Sequence, residues 1–440
     1  MKKGILFLFP IIVCFAVRAQ SGPYCIQGRF SETALFDSTQ IEIARNVVFA
    51  TPRKWPGSGT DTLKLDVYAP KAGSDPLSTR PCIVFFYGGA WLTGSKNDAG
   101  IQQKCFEWAR RGFVAIAPQY RLGWSCNAAD LLQVCVLCQG VYYNMNTAVY
   151  RGAQDGRAAM QWVVHERQTW KIDTSALFIG GESAGSFNAM HTAWWTPEYG
   201  KKAFNAGPYK ILGNLDSAGL YPGTPFRIRA IINSCGAVAS DTALKKAAIP
   251  MVAFHDNADC VVPYQTNQVL NCCATSFFWA RGSKNLYDDL TAAGVASELH
   301  TVPGAAPQHC SYPSMTLVKE SSCFLKQILC GLQPSGSSIH PVSPAVSCNA
   351  LRAGIYPSQT QGLRIYPVPA AEMLEIQSTA GDIAGIVLFD AQGRQLNVNC
   401  LLQASKARMS VTEIPGGIYT VKAELKSSRY TLWQKILIQH

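Results

Sequence analysis

A serine hydroxyl becomes an effective nucleophile only when a base takes its proton and something holds the oxyanion that its attack creates. Gly181-Glu182-Ser183-Ala184-Gly185 offers a serine in that setting. It follows the apolar run Ala176-Leu177-Phe178-Ile179 and precedes a helical pattern that starts at Ala184. A strand that ends, turns sharply and becomes a helix holds its serine out above a sheet, as a nucleophile elbow. Glycines at 181 and 185 keep side chains out of the crowded turn. Without strand before and helix after, the five-residue pattern would be weak, because Gly and Ser are common.

The base that such a serine needs is normally a histidine oriented by a carboxylate. Of the seven histidines, only His300, His309, His340 and His440 follow both the elbow and the later strands. His300 falls inside the last strand, His340 in a Pro- and Ser-rich stretch, and His440 at the end of the sequence. His309 lies in a loop, Pro307-Gln308-His309-Cys310, and is the expected base. For the acid, Asp259 is favoured over Asp256, which is expected in the turn after a strand, bonding backbone N–H groups. The expected oxyanion donors are the N–H groups of Gly89, Ala90 and Ala184, because the run Cys82-Ile83-Val84-Phe85-Phe86 ends in Tyr87-Gly88-Gly89-Ala90-Trp91 and small residues let backbone approach a carbonyl. Tyr87, Gly88, Trp91 and Glu182 are expected against the substrate. No metal or cofactor is expected.

These residues require a scaffold. Leu63, Leu65 and Val67 alternate with polar residues as in a half-buried strand, and 82–86 is a continuous apolar run as in a buried parallel strand. Further strands are read at 114–117, 228–233, 251–255 and 298–302, with helices at 101–111, 146–168, 284–293 and 315–329. Such alternation predicts an α/β fold, a mainly parallel sheet with helices on both faces. Residues 123–144 and 196–226 interrupt the pattern near carboxyl ends of strands and are expected to wall a substrate pocket. Residues 333–362, rich in Pro, Ser and Gly, read as a linker. Residues 363–440 read as a small C-terminal β-sandwich, with turns at Asp390-Ala391-Gln392-Gly393 and Pro415-Gly416-Gly417.

Residues 1–19 have the charge and apolar run of a secretory signal, with Val17-Arg18-Ala19 as the cleavage site. The apolar run is shorter than the roughly 18 residues a spanning helix needs, and no other segment is long and apolar enough to cross a membrane as a helix. The catalytic part is then 20–332. There are 16 cysteines, 15 without Cys14, so export implies disulfides and at least one thiol left over. Cys135 and Cys138 suggest a loop staple rather than a zinc site. Net charge is +11, and +8 without Lys2, Lys3 and Arg18; its scatter gives no reason to expect nucleic acid as a partner.

Residues 40–330 resemble the carboxylesterase branch of the α/β-hydrolase superfamily, near the feruloyl-esterase-like and hormone-sensitive-lipase-like enzymes. The resemblance is carried by Leu65-Asp66-Val67-Tyr68, Tyr87-Gly88-Gly89-Ala90-Trp91, Tyr120-Arg121-Leu122, Gln154-Asp155-Gly156-Arg157-Ala158-Ala159, the elbow and residues 255–263. It implies a Ser183–Asp259–His309 triad that cleaves carboxylic esters through an acyl-enzyme. The substrates in view are carbohydrate-linked or small acyl and aryl esters. Tyr87 and Ala90 depart from the His-Gly-Gly-Gly usual in that family, and Ser186 stands where a further glycine is common. A serine peptidase on the same scaffold, or a catalytically silent surface-binding protein, are the alternatives. An Asp259–His309 hydrogen bond would bring the neighbouring Cys260 and Cys310 within disulfide reach, with Cys272 and Cys273 as rival partners. The C-terminal module resembles the sorting domain of type IX secretion, through Leu363-Arg364-Ile365-Tyr366-Pro367-Val368-Pro369 and Pro415-Gly416-Gly417-Ile418-Tyr419. That implies type IX machinery as partner and a secreted or surface-attached location on a Gram-negative cell; a carbohydrate-binding sandwich is the alternative.

Overall fold

The computed structural model describes residues 23–55, 57–124, 142–239, 249–272, 277–304, 309–341, 347–351, 363–367, 370–378, 381–390, 394–396, 398–426 and 431–439. The expected signal at 1–19 and the Cys135–Cys138 staple lie outside them. The chain divides into two compact units, with the boundary after Leu351.

In the larger unit, nine strands form one sheet. They are β1 (Ile41–Ala50), β2 (Leu63–Pro70), β3 (Arg80–Phe86), β4 (Val114–Pro118), β5 (Ile172–Glu182), β6 (Ile228–Ser234), β8 (Met251–Asp256), β11 (Ser297–Val302) and β12 (Ser335–Ile339). The spatial order is β1-β2-β4-β3-β5-β6-β8-β11-β12. β1, β2 and β4 pair antiparallel, and every pairing from β4 through β3 to β12 is parallel. All seven residues of β3 are buried, as a strand covered on both faces requires. Burying side chains such as Val84 and Phe85 contributes roughly 1.5–3 kcal/mol each. A second, three-stranded antiparallel sheet joins β7 (Ala237–Ala239), β10 (Trp279–Gly282) and β9 (Asn267–Gln268).

The helices are α1 (Ala99–Arg110), α2 (Tyr142–His165), α3 (Ala184–Trp194), the short α4 (Pro197–Gly200) and α5 (Gly207–Leu212), α6 (Ser283–Ala292) and α7 (Ser314–Leu329). Ten of the eleven residues of α3 are buried, so the elbow helix is a core element. Cys25 is disulfide-bonded to Cys330, and Cys323 to Cys348. The expected linker therefore starts later than residue 333. Ser335–Ile339 adds a parallel edge strand to β11, and Cys348 is tied to α7. A short polar sequence suits an edge, where the backbone alone does the pairing.

The C-terminal unit has two four-stranded antiparallel sheets. One is β13 (Leu363–Tyr366), β14 (Met373–Ser378), β18 (Lys406–Ser410) and β17 (Cys400–Gln403); the other is β16 (Gln395–Leu396), β15 (Ile383–Phe389), β19 (Gly417–Leu425) and β20 (Thr431–Ile438). Burial alternates along β14 and β18. Leu374, Ile376 and Met409 from one sheet share a core with Leu388, Val421 and Ile436 from the other, which makes the expected sandwich.

Candidate active site

β5 runs into α3 through Ser183, whose backbone (φ 53°, ψ −122°) lies outside the usual regions. Holding a non-glycine residue there costs on the order of 1–3 kcal/mol. The surroundings enforce it. A Cβ on Gly181 would strike the backbone of Gly185, and one on Gly185 would strike the carbonyls of Phe86 and Tyr87. The Ser183 N–H donates to the Ser234 carbonyl of β6 (2.9 Å).

The loop after β11 brings His309 to this hydroxyl. Its Nε2 lies 3.0 Å from Ser183 Oγ and its Nδ1 2.6 Å from Asp259 Oδ2. Facing a carboxylate, Nδ1 carries the ring proton, which leaves Nε2 to accept from the serine. The carboxylate of Asp259 is wholly buried, and Oδ1 accepts the N–H groups of Val261 and Val262 (2.8 and 2.9 Å). Burial pushes the Asp259 carboxyl upward, but hydrogen bonds from His255 and His309 outweigh it and hold the group below the ordinary carboxylate range.

His255 is a partner that sequence reading missed. Fully buried at the end of β8, it places Nε2 3.3 Å from Asp259 Oδ2 and 3.1 Å from the Val262 carbonyl. Both neighbours are acceptors, so Nε2 carries a hydrogen. Its Nδ1 meets Ser283 Oγ at 2.6 Å. Asn233 Nδ2 donates to that same hydroxyl (3.0 Å), while Asn233 Oδ1 accepts from Ser186 Oγ (2.7 Å). A buried polar chain thus runs from Asp259 to the elbow helix. In sequence, His255 is one more residue of an apolar strand run, and only the fold brings it to Asp259.

Asp256 is not in a turn. It ends β8, buried, and accepts the Ser311 N–H (2.9 Å) and the Ser311 hydroxyl. It therefore pins the loop that carries His309. The expected Cys260–Cys310 bond is replaced by two others: Cys260 pairs with Cys272, and Cys310 with Cys235, each across a Cα separation of 5.3 Å. Cys235 directly follows β6, so the His309 loop is tied to the strand that also bonds Ser183. Cys82, Cys105 and Cys400 are the free cysteines among the described residues.

Beyond β3 the backbone coils through three left-handed residues, Gly89, Ala90 and Trp91 (φ 119°, 53° and 57°). Tyr120 Oη donates to the Tyr87 and Gly88 carbonyls (3.1 and 3.2 Å), and Trp124 Nε1 donates to that of Ala90 (2.8 Å). Among the described residues, the N–H groups of Gly89 and Ala90 donate to no protein acceptor. Gly88, Gly89 and Ala90 line a cavity of about 600 Å³ together with Glu182, Ser183 and His309; Ala184 lies buried one residue beyond Ser183.

Tyr87 and Trp91 are not on this cavity. Tyr87 is buried and stacks on Tyr120, and Trp91 is buried with Nε1 donating to Asn188 (2.8 Å). Both support the loop from behind. Residues 196–226 pack on α2 instead, with Tyr150 donating to the Gly213 carbonyl and Arg157 paired with Asp216; they do not line the cavity. Most of 123–144 lies outside the described residues. The opposite walls are α1, through Ile101 and Lys104, and the Cys260–Cys272 loop, through Val261 and Leu270. Lys104, also missed in the sequence, is buried and donates to Glu182 Oε2 at 2.8 Å.

Residues 19–197 match the family model described as the carboxylesterase family, and residues 364–439 match that of the secretion system C-terminal sorting domain. The neuroligin-like protein glit-1 of Caenorhabditis elegans is 31% identical over 126 residues, 29% of this chain and 15% of that protein. The cAMP-regulated D2 protein of Dictyostelium discoideum is 30% identical over 151 residues, 34% of this chain and 24% of that protein. The chain thus spans less than a quarter of the length of these curated relatives. Among solved structures, the apo form of Thermogutta terrifontis esterase 2 is 20% identical, with coverage of 67% of this chain and 96% of that one and a TM-score of 0.40. Its butyrate-bound form is 19% identical, with coverage of 66% and 95% and a TM-score of 0.41. The chain thus matches the carboxylesterase family model over residues 19–197 and, after it, a type IX sorting domain that marks it for the exterior or the surface of a Gram-negative cell.

Proposed function

We propose that this protein is a serine esterase that cleaves carboxylic esters through an acyl-enzyme. Ser183 Oγ attacks the ester carbonyl carbon while His309 Nε2 takes its proton. Asp259 holds the imidazole in the required tautomer and stabilises its charged form. The oxyanion is received by the N–H groups of Gly89, Ala90 and Ala184. Collapse expels the alcohol, which takes the proton from His309. Water then repeats the sequence on the acyl-enzyme and frees the acid. Carbohydrate-linked esters and small acyl or aryl esters are the proposed substrates.

The observation that carries this reading is the unbroken line from Ser183 Oγ through His309 to a buried, ionised Asp259. The test is hydrolysis of nitrophenyl esters of increasing chain length, beside acetylated and feruloylated xylan. Ser183→Ala should lower kcat by roughly 10⁴-fold or more with an unchanged melting temperature. Labelling by a fluorophosphonate should fall on Ser183. Undiminished turnover in that variant would end the assignment.

A further inference from the structure

The esterase mechanism leaves one feature of the cavity unused. Lys104 contributes a charged ammonium to the wall, although only 5% of its side chain is exposed. Lysine is almost never buried so deeply without a partner. Its single partner among the described residues is Glu182 Oε2 at 2.8 Å, so two of the three ammonium hydrogens have no acceptor among those residues. Glu182 is itself about a third exposed and lines the same cavity. It immediately precedes Ser183, and both line the cavity. The nucleophile is therefore flanked by a donor and an acceptor side by side.

We propose that Lys104 and Glu182 form a subsite that binds neighbouring hydroxyl groups of the substrate, so that this enzyme acts on esters of hydroxylated compounds. One hydroxyl accepts from the Lys104 ammonium, and the next donates to the Glu182 carboxylate. A hydroxyl is both donor and acceptor, so a vicinal pair satisfies both partners without moving charge. A substrate carboxylate suits the site poorly. It can only accept, and it would enter a cavity where one ammonium is set against two carboxylates, Glu182 and Asp98. An apolar group suits it least, since it would strip water from the pair and return no hydrogen bond.

This inference rests on the ester-hydrolase reading, and the experiment separates the two. Two ester pairs that differ only by two hydroxyl groups are compared: glyceryl monoacetate with propyl acetate, which places the hydroxyls on the alcohol, and methyl glycerate with methyl propanoate, which places them on the acyl group. For each pair the ratio of kcat/KM values is measured in wild type, Lys104→Met and Glu182→Gln. A ratio within one preparation does not depend on how much of it is folded, so poor folding of a variant cannot mimic the result. The ratio should be at least roughly tenfold larger in wild type than in Lys104→Met for one pair, and that pair identifies the side bearing the hydroxyls. Glu182→Gln should lower the same ratio. Ratios equal in wild type and variants for both pairs overturn the subsite while leaving the esterase standing. So does a wild-type preference for monomethyl succinate over both hydroxylated esters. Failure of wild type to cleave any of these esters removes the esterase reading and the subsite with it.

Discussion

Ser183 and His309, the proposed nucleophile and base, reach one another by different means. Ser183 is held by backbone: β5 and α3 meet at a turn so tight that Gly181 and Gly185 leave no room for a side chain, and its N–H is bonded to β6. His309 is held by side chains: a carboxylate pin from Asp256 to Ser311, a covalent tie from Cys310 to Cys235, and Asp259, itself gripped by His255. The first arrangement is a five-residue turn wedged against β3 and β6, and it is rigid because a packed core is rigid. The second gathers residues from β6, β8 and the loop beyond β11, and each of its ties can be cut singly.

That contrast can be broken at graded strength. The largest effect should come from the backbone side. Gly185→Ala forces a methyl into the Phe86 and Tyr87 carbonyls, which cannot withdraw. We expect kcat/KM to fall at least ~100-fold and the melting temperature to fall with it, in thermal unfolding followed by circular dichroism. On the base side, Asp256→Asn weakens the Ser311 pin. It should lower kcat by roughly 10–100-fold with little change in KM, as read by steady-state kinetics. Replacing both Cys235 and Cys310 by alanine should cost less, about tenfold in kcat, because the Asp256 pin remains. A loss in this double variant as large as that of Ser183→Ala would show the covalent tie to be the principal support of the base.

The smallest effect should be a displacement. His255→Phe removes an N–H donor from Asp259 Oδ2, which leaves the carboxylate a stronger acceptor for His309 and favours the charged imidazole. The acid limb of the kcat/KM–pH profile should then move to higher pH, by roughly half a unit. His255→Gln, able to keep a donor there, should move it less. Stability follows the same linkage. Because the Asp259 carboxyl is held low in the folded protein, its contribution is complete above about pH 4, where the unfolded chain's carboxyl has ionised, and is lost as pH falls through the lowered value. In His255→Phe, acid unfolding should begin at higher pH.

The same contrast governs what could be read from the chain. β3 and the elbow were legible because an apolar run and a glycine-bounded serine are local signals. His309 was legible by elimination and Asp259 by its place after β8. The supports of the base were not: Cys235 and Cys310 stand 75 residues apart, and His255 meets Asp259, four residues on, only because the loop folds back onto its own strand. Lys104 reads as any polar position on a helix until α1 is seen against the cavity. Tyr87 and Trp91, at the two ends of the Gly88-Gly89-Ala90 loop, looked like substrate contacts, yet their rings turn inward because large aromatic groups gain most from burial. β12 looked like a linker because an exposed edge strand needs no apolar residues.

One consequence of α7 concerns export. Cys25 near the start of the hydrolase unit and Cys348 near its end are both stapled to this helix or its cap, and the Gly28 N–H also reaches the Asn349 carbonyl (2.9 Å). The two ends of the unit, at residues 25–28 and 348–349, therefore meet at one corner of it. A protease cutting between residues 348 and 363 would release the sorting tail without opening either covalent ring. The enzyme that remained would be as tightly sealed as the one that was delivered.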